Sequence, residues 1–198
     1  MSIVKSLAIN ALNASDYEEK RWYLNDHLLE VERIATALID QCAVAVDLEL
    51  VEALIWLHDL PKIIGGRGNK DNFQGIVRPI VDALFPDRAD EVFEELLLFE
   101  KMKFLGNAER DLASIEVRIA SSADAISHYT CGFLTRFQED HPGMPIGELA
   151  ASNAAKLGRD KDKCSSEYVS LIADVQLEYT NSRTVVVGAA YLVARLCL

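Results

Sequence analysis

Hydrophobic positions recur at spacings of three and four residues along most of this chain, which is the period of an amphipathic α-helix. Alternating runs rich in Val, Ile and Thr, which are typical of strands, are almost absent. The pattern therefore predicts an all-α protein. The first long helix is expected over residues 17 to about 45, and His27 lies on its apolar stripe. A second helix is expected after Asp47, which can accept free backbone N–H bonds, and should end at about His58.

Proline and glycine mark the boundaries of the later elements. Pro61 disfavours helical geometry at Leu60, and the glycines among residues 65–68 predict a loop there. This loop carries two cations, Arg67 and Lys70. Further helices are expected at about 73–85, 88–104, 109–138, 145–157 and 166–198, with a surface connection at 158–163.

The chain has 198 residues, of which 50% are hydrophobic, and is long enough to bury one core. It contains no internal repeat, low-complexity tract or Pro/Ser-rich linker, so a single domain over residues 1–198 is expected. We expect a helical-bundle core over about 17–138 and a C-terminal helical extension over about 145–198. The apolar end of that extension would close the core or form the interface of a homodimer.

Charge and cysteine content narrow the classes of partner and compartment. The 20 Lys and Arg residues against 31 Asp and Glu give a net charge of −11, which repels phosphate backbones and argues against binding long nucleic acids. No stretch reaches the ~20 uncharged apolar residues of a membrane-spanning helix. The 4 cysteines are widely spaced and form no disulfide or zinc pattern, which indicates a reducing, cytoplasmic location. A small ligand or a protein partner is therefore favoured.

The residues that suggest chemistry are metal-ligand types spread over several predicted helices. His27 lies in the first helix, and the adjacent pair His58 and Asp59 closes the second. Asp124 lies within a later helix and is followed four residues on by His128, which could orient the carboxylate or donate a proton. Imidazole and carboxylate donors together suit a borderline or hard divalent cation held in a bundle core. The alternative is a buried, hydrogen-bonded polar network.

The order of these residues resembles the HD superfamily of metal-dependent phosphohydrolases, whose pattern is a His, then a His-Asp doublet, then a distant Asp. The matching stretches are HLLEV at 27–31, ALIWLHDLPK at 53–62 and IASSAD at 119–124. The resemblance covers the chain from about 22 to 129. It implies an HD-type helical bundle with one divalent cation, whose ligands would be His27, His58, Asp59 and Asp124.

The doublet is followed by Lys62, and His-Asp-Leu-Pro-Lys looks like the His-Asp-x-Gly-Lys form of many family members, with Pro61 in place of the glycine. The resemblance implies catalytic roles for Asp59 and Lys62, the lysine neutralising a phosphoryl oxygen as charge develops. Arg67 and Lys70 on the following loop are further candidates for holding the phosphate. No histidine lies between the doublet and the distant Asp, so a second metal site of the kind found in two-metal relatives is not expected.

We therefore expect a metal-dependent phosphohydrolase that cleaves a small phosphate ester, such as a nucleotide or phosphorylated metabolite, through a water activated by the metal. The sequence does not separate a monoesterase from a diesterase, nor does it choose among Mn, Mg, Co, Ni, Fe and Zn as the cation. Two alternatives belong to other classes. One is a non-catalytic HD-type module that binds or senses a metal or phosphate ligand, and the other is a helical interaction protein whose candidate ligands form only a polar network.

Overall fold

The computed structural model of the protein describes residues 2–15, 22–65, 73–130, 136, 139 and 141–168. Within these ranges the regular elements are helices and no strand occurs, which confirms the all-α prediction. No helix among them has the length and low charge content needed to cross a membrane. The predicted loop with Arg67 and Lys70 lies outside the described residues, as does the C-terminal extension after residue 168.

The chain begins with a helix in a segment to which the hydrophobic pattern assigned no element. This helix, α1, spans Ile3–Ala14. The Ser2 side-chain oxygen caps it by accepting a hydrogen bond from the backbone N–H three residues on, at 3.2 Å. One face of α1 packs into the core through side chains four residues apart, which are Val4, Ala8 and Leu12.

The second helix, α2, begins as a π-helical segment (Tyr23–Leu28) and continues as a regular α-helix (Leu29–Ile39). Such π-helical turns are rare and are frequently found at functional sites. His27 lies within this segment and is buried, as its apolar stripe predicts. The helix ends earlier than the predicted limit near 45, and the chain turns with the Cys42 N–H donating to the Ile39 carbonyl oxygen at 2.9 Å.

Helix α3 (Leu48–Leu57) begins and ends close to where the sequence predicts. Asp47 is its N-cap, because the Asp47 carboxylate accepts a hydrogen bond from the Leu50 N–H at 3.1 Å. The helix is apolar on almost all sides and therefore runs through the interior. Its buried residues are Leu50, Val51, Ala53, Leu54, Ile55, Trp56 and Leu57.

A turn formed by His58 and Asp59 leads from α3 into a short helix, α4 (Leu60–Gly65). The expectation that Pro61 keeps Leu60 out of a helix is wrong. Proline is tolerated in the first turn of a helix, where its missing N–H would have had no helical partner. The turn therefore places the His-Asp doublet between two helices rather than at the start of a loop.

The next two helices confirm the predicted elements at 73–85 and 88–104. Helix α5 spans Phe73–Leu84, and α6 spans Ala89–Lys101 and is extended by a 3-10 turn, Met102–Phe104. The two helices pack against each other, and α6 also packs against α3. They close the bundle on the side of the His-Asp turn.

The helix predicted over 109–138 is divided into separate elements. A short helix, α7 (Asn107–Arg110), is followed by a turn and then by α8 (Ile115–Ser127). Ser114 starts α8, since its hydroxyl accepts a hydrogen bond from the Val117 N–H at 3.3 Å. The part of the prediction beyond residue 130 lies largely outside the described residues.

The last long helix described, α9 (Ile146–Lys161), extends four residues past its predicted end at 157. The expectation of a surface connection at 158–163 is therefore wrong. Asp160 lies within this stretch and is only 4% exposed. A 3-10 turn, Ser166–Tyr168, follows α9.

Helix α8 lies at the centre of the fold, where it packs against α2, α3, α6 and α9. Every residue from 119 to 127 is buried. Six of them have small side chains that let neighbouring helices approach closely, namely Ala120, Ser121, Ser122, Ala123, Ala125 and Ser127. Asp124 lies in the middle of this stretch, so its carboxylate is held in the interior.

Enlarging a small side chain of α8 should destabilise the protein. Ala123 is fully buried, and overpacking such a position with Ala123→Leu should cost about 1–3 kcal/mol of unfolding free energy. Ala37→Leu, at an exposed position of α2, is the matched control and should change stability by less than ~0.5 kcal/mol. Urea unfolding measures both variants, and equal midpoints would contradict the central position of α8.

Candidate metal centre

The four predicted ligands come together in the structure. His27 comes from the π-helical start of α2, His58 and Asp59 come from the turn between α3 and α4, and Asp124 comes from α8. The two histidines and Asp124 are buried, with exposures of 3%, 5% and 7%. The four side chains are thus held on three separate parts of the bundle and project towards a common position.

The two carboxylates each face both of the predicted histidine ligands. Oδ2 of Asp59 lies 3.8 Å from Nε2 of His27 and 3.5 Å from Nε2 of His58. Oδ1 of Asp124 lies 3.6 Å and 4.0 Å from the same two nitrogens. One oxygen of each carboxylate is therefore directed at the same pair of imidazole nitrogens.

These separations fit donor atoms around a cation better than hydrogen bonds. An N–H···O bond has a heavy-atom distance of about 2.7–3.2 Å, so all four contacts are too long. Two donors that each lie about 2.1 Å from a shared ion are separated by roughly 3.0–3.4 Å, slightly less than observed. The donor set of imidazoles and carboxylates thus fits a divalent ion with a small inward adjustment.

The hydrogen bonds made by the other ring nitrogens direct Nε2 towards the site. Nδ1 of His58 lies 2.8 Å from the Ile55 carbonyl oxygen, an acceptor, so Nδ1 carries the proton. Nδ1 of His27 lies 3.3 Å from Oγ of Ser127, whose own proton is donated to the Asp124 carbonyl oxygen at 2.7 Å. Ser127 therefore accepts from His27. Both histidines keep an Nε2 lone pair that faces the carboxylates, as a metal ligand requires.

Asp59 is contacted by a tyrosine of α2 and a lysine of α4. The Tyr23 hydroxyl donates to Oδ2 of Asp59, and Nζ of Lys62 lies 3.4 Å from that oxygen and 4.3 Å from the centre of the Tyr23 ring. Burial opposes ionisation of Asp59, but the charge of Lys62, the two neighbouring histidines and the Tyr23 hydroxyl together outweigh it and hold the pKa of that carboxyl well below its usual range. Lys62 is thus next to Asp59, where the sequence analysis expected it, and Tyr23 is a further neighbour that the sequence analysis did not assign to the site.

Asp124 is held by a lysine that the sequence analysis did not assign to the site. Nζ of Lys163 lies 3.1 Å from Oδ2 of Asp124 and 3.0 Å from Oδ1 of Asp160. Burial opposes ionisation of Asp124, but Lys163 and the surrounding histidines together outweigh it, so the pKa of Asp124 lies below its usual range. These two carboxylates also raise the pKa of Lys163. Lys163 and Asp160 were missed because their charge-rich segment was expected to lie on the surface.

His128, predicted to support Asp124, lies inside the same cluster. Its Nε2 is 3.8 Å from Oδ1 of Asp124, and its Nδ1 is 3.0 Å from Oδ2 of Asp160. Its ring stacks on the ring of His27 at 5.3 Å between centroids. Burial lowers the pKa of both His27 and His128, in spite of the nearby carboxylates, so both imidazoles are neutral at pH 7.

Two overlapping groups of side chains could hold a metal ion, because the donor atoms of each lie within 4.8 Å of one another. One group is His27, His58 and Asp59, and the other is His27, Asp124 and His128. His27 belongs to both, so the two groups form one continuous donor cluster. The cluster therefore has the donor atoms and the spacing that could hold a metal ion.

No protein-family model, curated protein or solved structure matches this chain. The resemblance to the HD superfamily therefore stays a prediction that depends on the motif residues. What the structure adds is their position: the motif residues meet at one buried place on three separate parts of the bundle.

Removing the charge of Lys163 should destabilise the metal-free protein. Lys163→Met keeps an apolar stem of similar length but leaves two buried carboxylates without their shared cation. Breaking a buried ion pair from one side costs about 3–5 kcal/mol, so we expect a loss of this size in EDTA at pH 7. Lys101→Met, at an exposed position, is the control.

The same variant should show a distinct dependence on pH. The pKa values of Asp124 and Asp160 in the folded protein lie below the usual 3.8, so their stabilising effect is complete above that pH and is lost as the pH falls below it. The stability difference between wild type and Lys163→Met should therefore narrow in acid. Denaturant unfolding at neutral and acidic pH tests this, and a constant difference would contradict the assigned charge network.

Proposed function

We propose that the protein is an HD-type phosphohydrolase that cleaves a small phosphate ester with the help of one divalent cation. His27, His58, Asp59 and Asp124 would hold the cation. The observation that carries the proposal is that one oxygen of each carboxylate lies 3.5–4.0 Å from the same two imidazole nitrogens. A cation bound there would polarise a phosphoryl oxygen and lower the pKa of a water from ~16 towards ~7.

The exposure of the side chains indicates the side from which a substrate would enter. Side-chain exposure is 3% for His27 and 4% for His58, but it rises to 14% for Asp59 and 20% for Lys62. Asp59 is therefore the most exposed of the four proposed ligands, and it lies next to the ammonium group of Lys62. A phosphate that approaches on this side would meet a positive charge before it meets the carboxylates.

The need for such a charge follows from the composition of the chain. A net charge of −11 repels anionic ligands at long range, and two of the negative charges, those of Asp59 and Asp124, lie at the site itself. Lys62 would offset this repulsion locally and stabilise the charge that develops on the phosphoryl oxygens. A compact phosphate ester fits these conditions better than a long polyanion.

The free thiols of Cys42 and Cys164 support a reducing compartment such as the cytoplasm.

The direct test of the metal site is elemental analysis of the purified full chain. We expect about one divalent ion per chain, as a mononuclear site requires. His58→Ala and Asp124→Ala should each lose the ion, because each removes a donor from the cluster. His141→Ala, in the turn before α9, is the matched control and should retain it.

Hydrolysis should be measured on the same proteins with a panel of mononucleotides and sugar phosphates in the presence of divalent ions. Wild type and His141→Ala should hydrolyse a member of the panel, and EDTA, His58→Ala and Asp124→Ala should abolish turnover. Unchanged metal content and turnover in both site variants would refute the ligand assignment.

A variant of Lys62 separates phosphate binding from metal binding. Lys62→Met should keep the ion, since all four proposed ligands remain, and should lower kcat/KM by about 10²–10³-fold, the usual effect of losing one group that stabilises developing charge. Lys101→Met serves as the control for loss of a lysine at an exposed position. Steady-state kinetics together with metal content measure both effects, and an unchanged kcat/KM would place the phosphate elsewhere.

A second candidate is a non-catalytic module, and the position of Lys163 favours it. Lys163 pairs with Asp124 at 3.1 Å and Lys62 approaches Asp59 at 3.4 Å, so each carboxylate already has a cationic partner without an ion. Such a network could be stable as a binding or sensing site alone. Metal bound without turnover on the substrate panel would support this candidate over the enzyme.

A further inference from the structure

We propose that His128 is a third imidazole ligand of the same cation and that Asp160 is the residue that orients it. This inference depends on the proposed metal centre and extends its ligand set beyond the four motif residues. It also narrows the class of metal that the site selects.

The position of His128 relative to Asp124 matches that of the motif histidines. Oδ1 of Asp124 lies 3.6 Å from Nε2 of His27, 4.0 Å from Nε2 of His58 and 3.8 Å from Nε2 of His128. All three distances are too long for hydrogen bonds and similar to one another. A single carboxylate oxygen therefore has three imidazole nitrogens around it at equivalent distances.

The ring of His128 is also aligned with the ring of His27. The two rings are stacked, with centroids 5.3 Å apart and planes only 9° from parallel. His128 is buried, with 7% exposure, so it is held in this orientation by packing. Because α8 places Asp124 and His128 one turn apart, both project from the same face of that helix.

Asp160 determines which nitrogen of His128 carries the proton. Nδ1 of His128 lies 3.0 Å from Oδ2 of Asp160 and 3.3 Å from Nζ of Lys156. Lys156 also contacts Oδ2 of Asp160, so the ammonium group has a carboxylate as its acceptor and does not need the ring nitrogen. Nδ1–H then donates to Asp160, which leaves the Nε2 lone pair facing the site.

The shared histidine shows that the cluster would hold one ion rather than two. Nε2 of His27 faces both Asp59 and Asp124, and one imidazole nitrogen has one lone pair for one ion. Nδ1 of His27 is engaged with Ser127 and is not a second donor. In the proposed centre, the donors of His58 and Asp59 on one side, and of Asp124 and His128 on the other, would therefore share the ion bound by His27.

A site with three imidazoles and two carboxylates selects a particular class of metal. Imidazole nitrogens suit Mn²⁺, Fe²⁺, Co²⁺, Ni²⁺ and Zn²⁺, whereas Mg²⁺ and Ca²⁺ are held mainly by oxygen donors and water. With three nitrogen donors in the set, we infer that the resident ion is a first-row transition metal or zinc and that Mg²⁺ does not replace it.

X-ray absorption spectroscopy of the full chain loaded with Co²⁺ or Zn²⁺ counts the imidazole ligands directly. Wild type should show three imidazoles and His128→Ala should show two. Loss of an outer hydrogen-bond partner usually weakens metal binding by about 10–100-fold, so Asp160→Asn should weaken Zn²⁺ binding by this factor and His128→Ala by at least as much. His141→Ala should retain the wild-type spectrum and affinity.

The outcomes separate this inference from the proposed function. If wild type binds the ion through two imidazoles and His128→Ala leaves that spectrum unchanged, the assignment of His128 is wrong and the four-residue centre stands. If wild type binds neither Zn²⁺ nor Co²⁺, the assignment of His128 and the four-residue centre are both wrong. The number of imidazole ligands in the wild-type spectrum tests the assignment of His128 even if a variant fails to fold.

Discussion

Asp124 is an ionised carboxylate in the interior of the bundle, and burying such a group costs several kcal/mol unless other groups compensate it. The protein compensates it directly on one oxygen and directs the other towards the candidate metal position. Oδ2 accepts Lys163 at 3.1 Å, while Oδ1 faces the histidines of the cluster at 3.6–4.0 Å. The lysine therefore holds the carboxylate in place without using the oxygen that a cation would need. The groups that surround the Asp124 carboxylate of α8 thus come from α2, from the turn after α3 and from the residues that follow α9.

The histidines are oriented by acceptors that lie outside the cluster. Nδ1 of His58 faces a backbone carbonyl one turn earlier in α3, Nδ1 of His27 faces Ser127 of α8, and Nδ1 of His128 faces Asp160 of α9. Each acceptor fixes the tautomer in which the Nε2 lone pair is directed at the cluster. Because the acceptors come from different helices, the geometry of the centre depends on the packing of the whole bundle. A buried polar network built only for stability would be expected to have its nitrogens and oxygens within hydrogen-bonding distance.

The sequence predicted the parts of the site that depend on local periodicity. His27 and His58 each continue an apolar helical stripe, Asp124 lies among small side chains, and all three are buried as these patterns imply. Asp160 and Lys163 were not predictable in the same way, because a charged residue becomes buried only when partners from distant segments neutralise it. Helix α1, by contrast, could have been found from the four-residue spacing of its buried positions. The proximity of Tyr23 to the site could also have been predicted, because Tyr23 precedes His27 by four residues on the same helix.

The central claim is that side chains distant in sequence surround one divalent cation. Anomalous X-ray diffraction from crystals of the metal-loaded protein, recorded above and below the absorption edge of that metal, tests it most directly. The account predicts one strong anomalous peak within about 2.0–2.2 Å of Nε2 of His27, Nε2 of His58 and an oxygen of Asp124. A peak at another place on the chain, or a cluster whose nitrogens and oxygens close into direct hydrogen bonds with no peak between them, would contradict it.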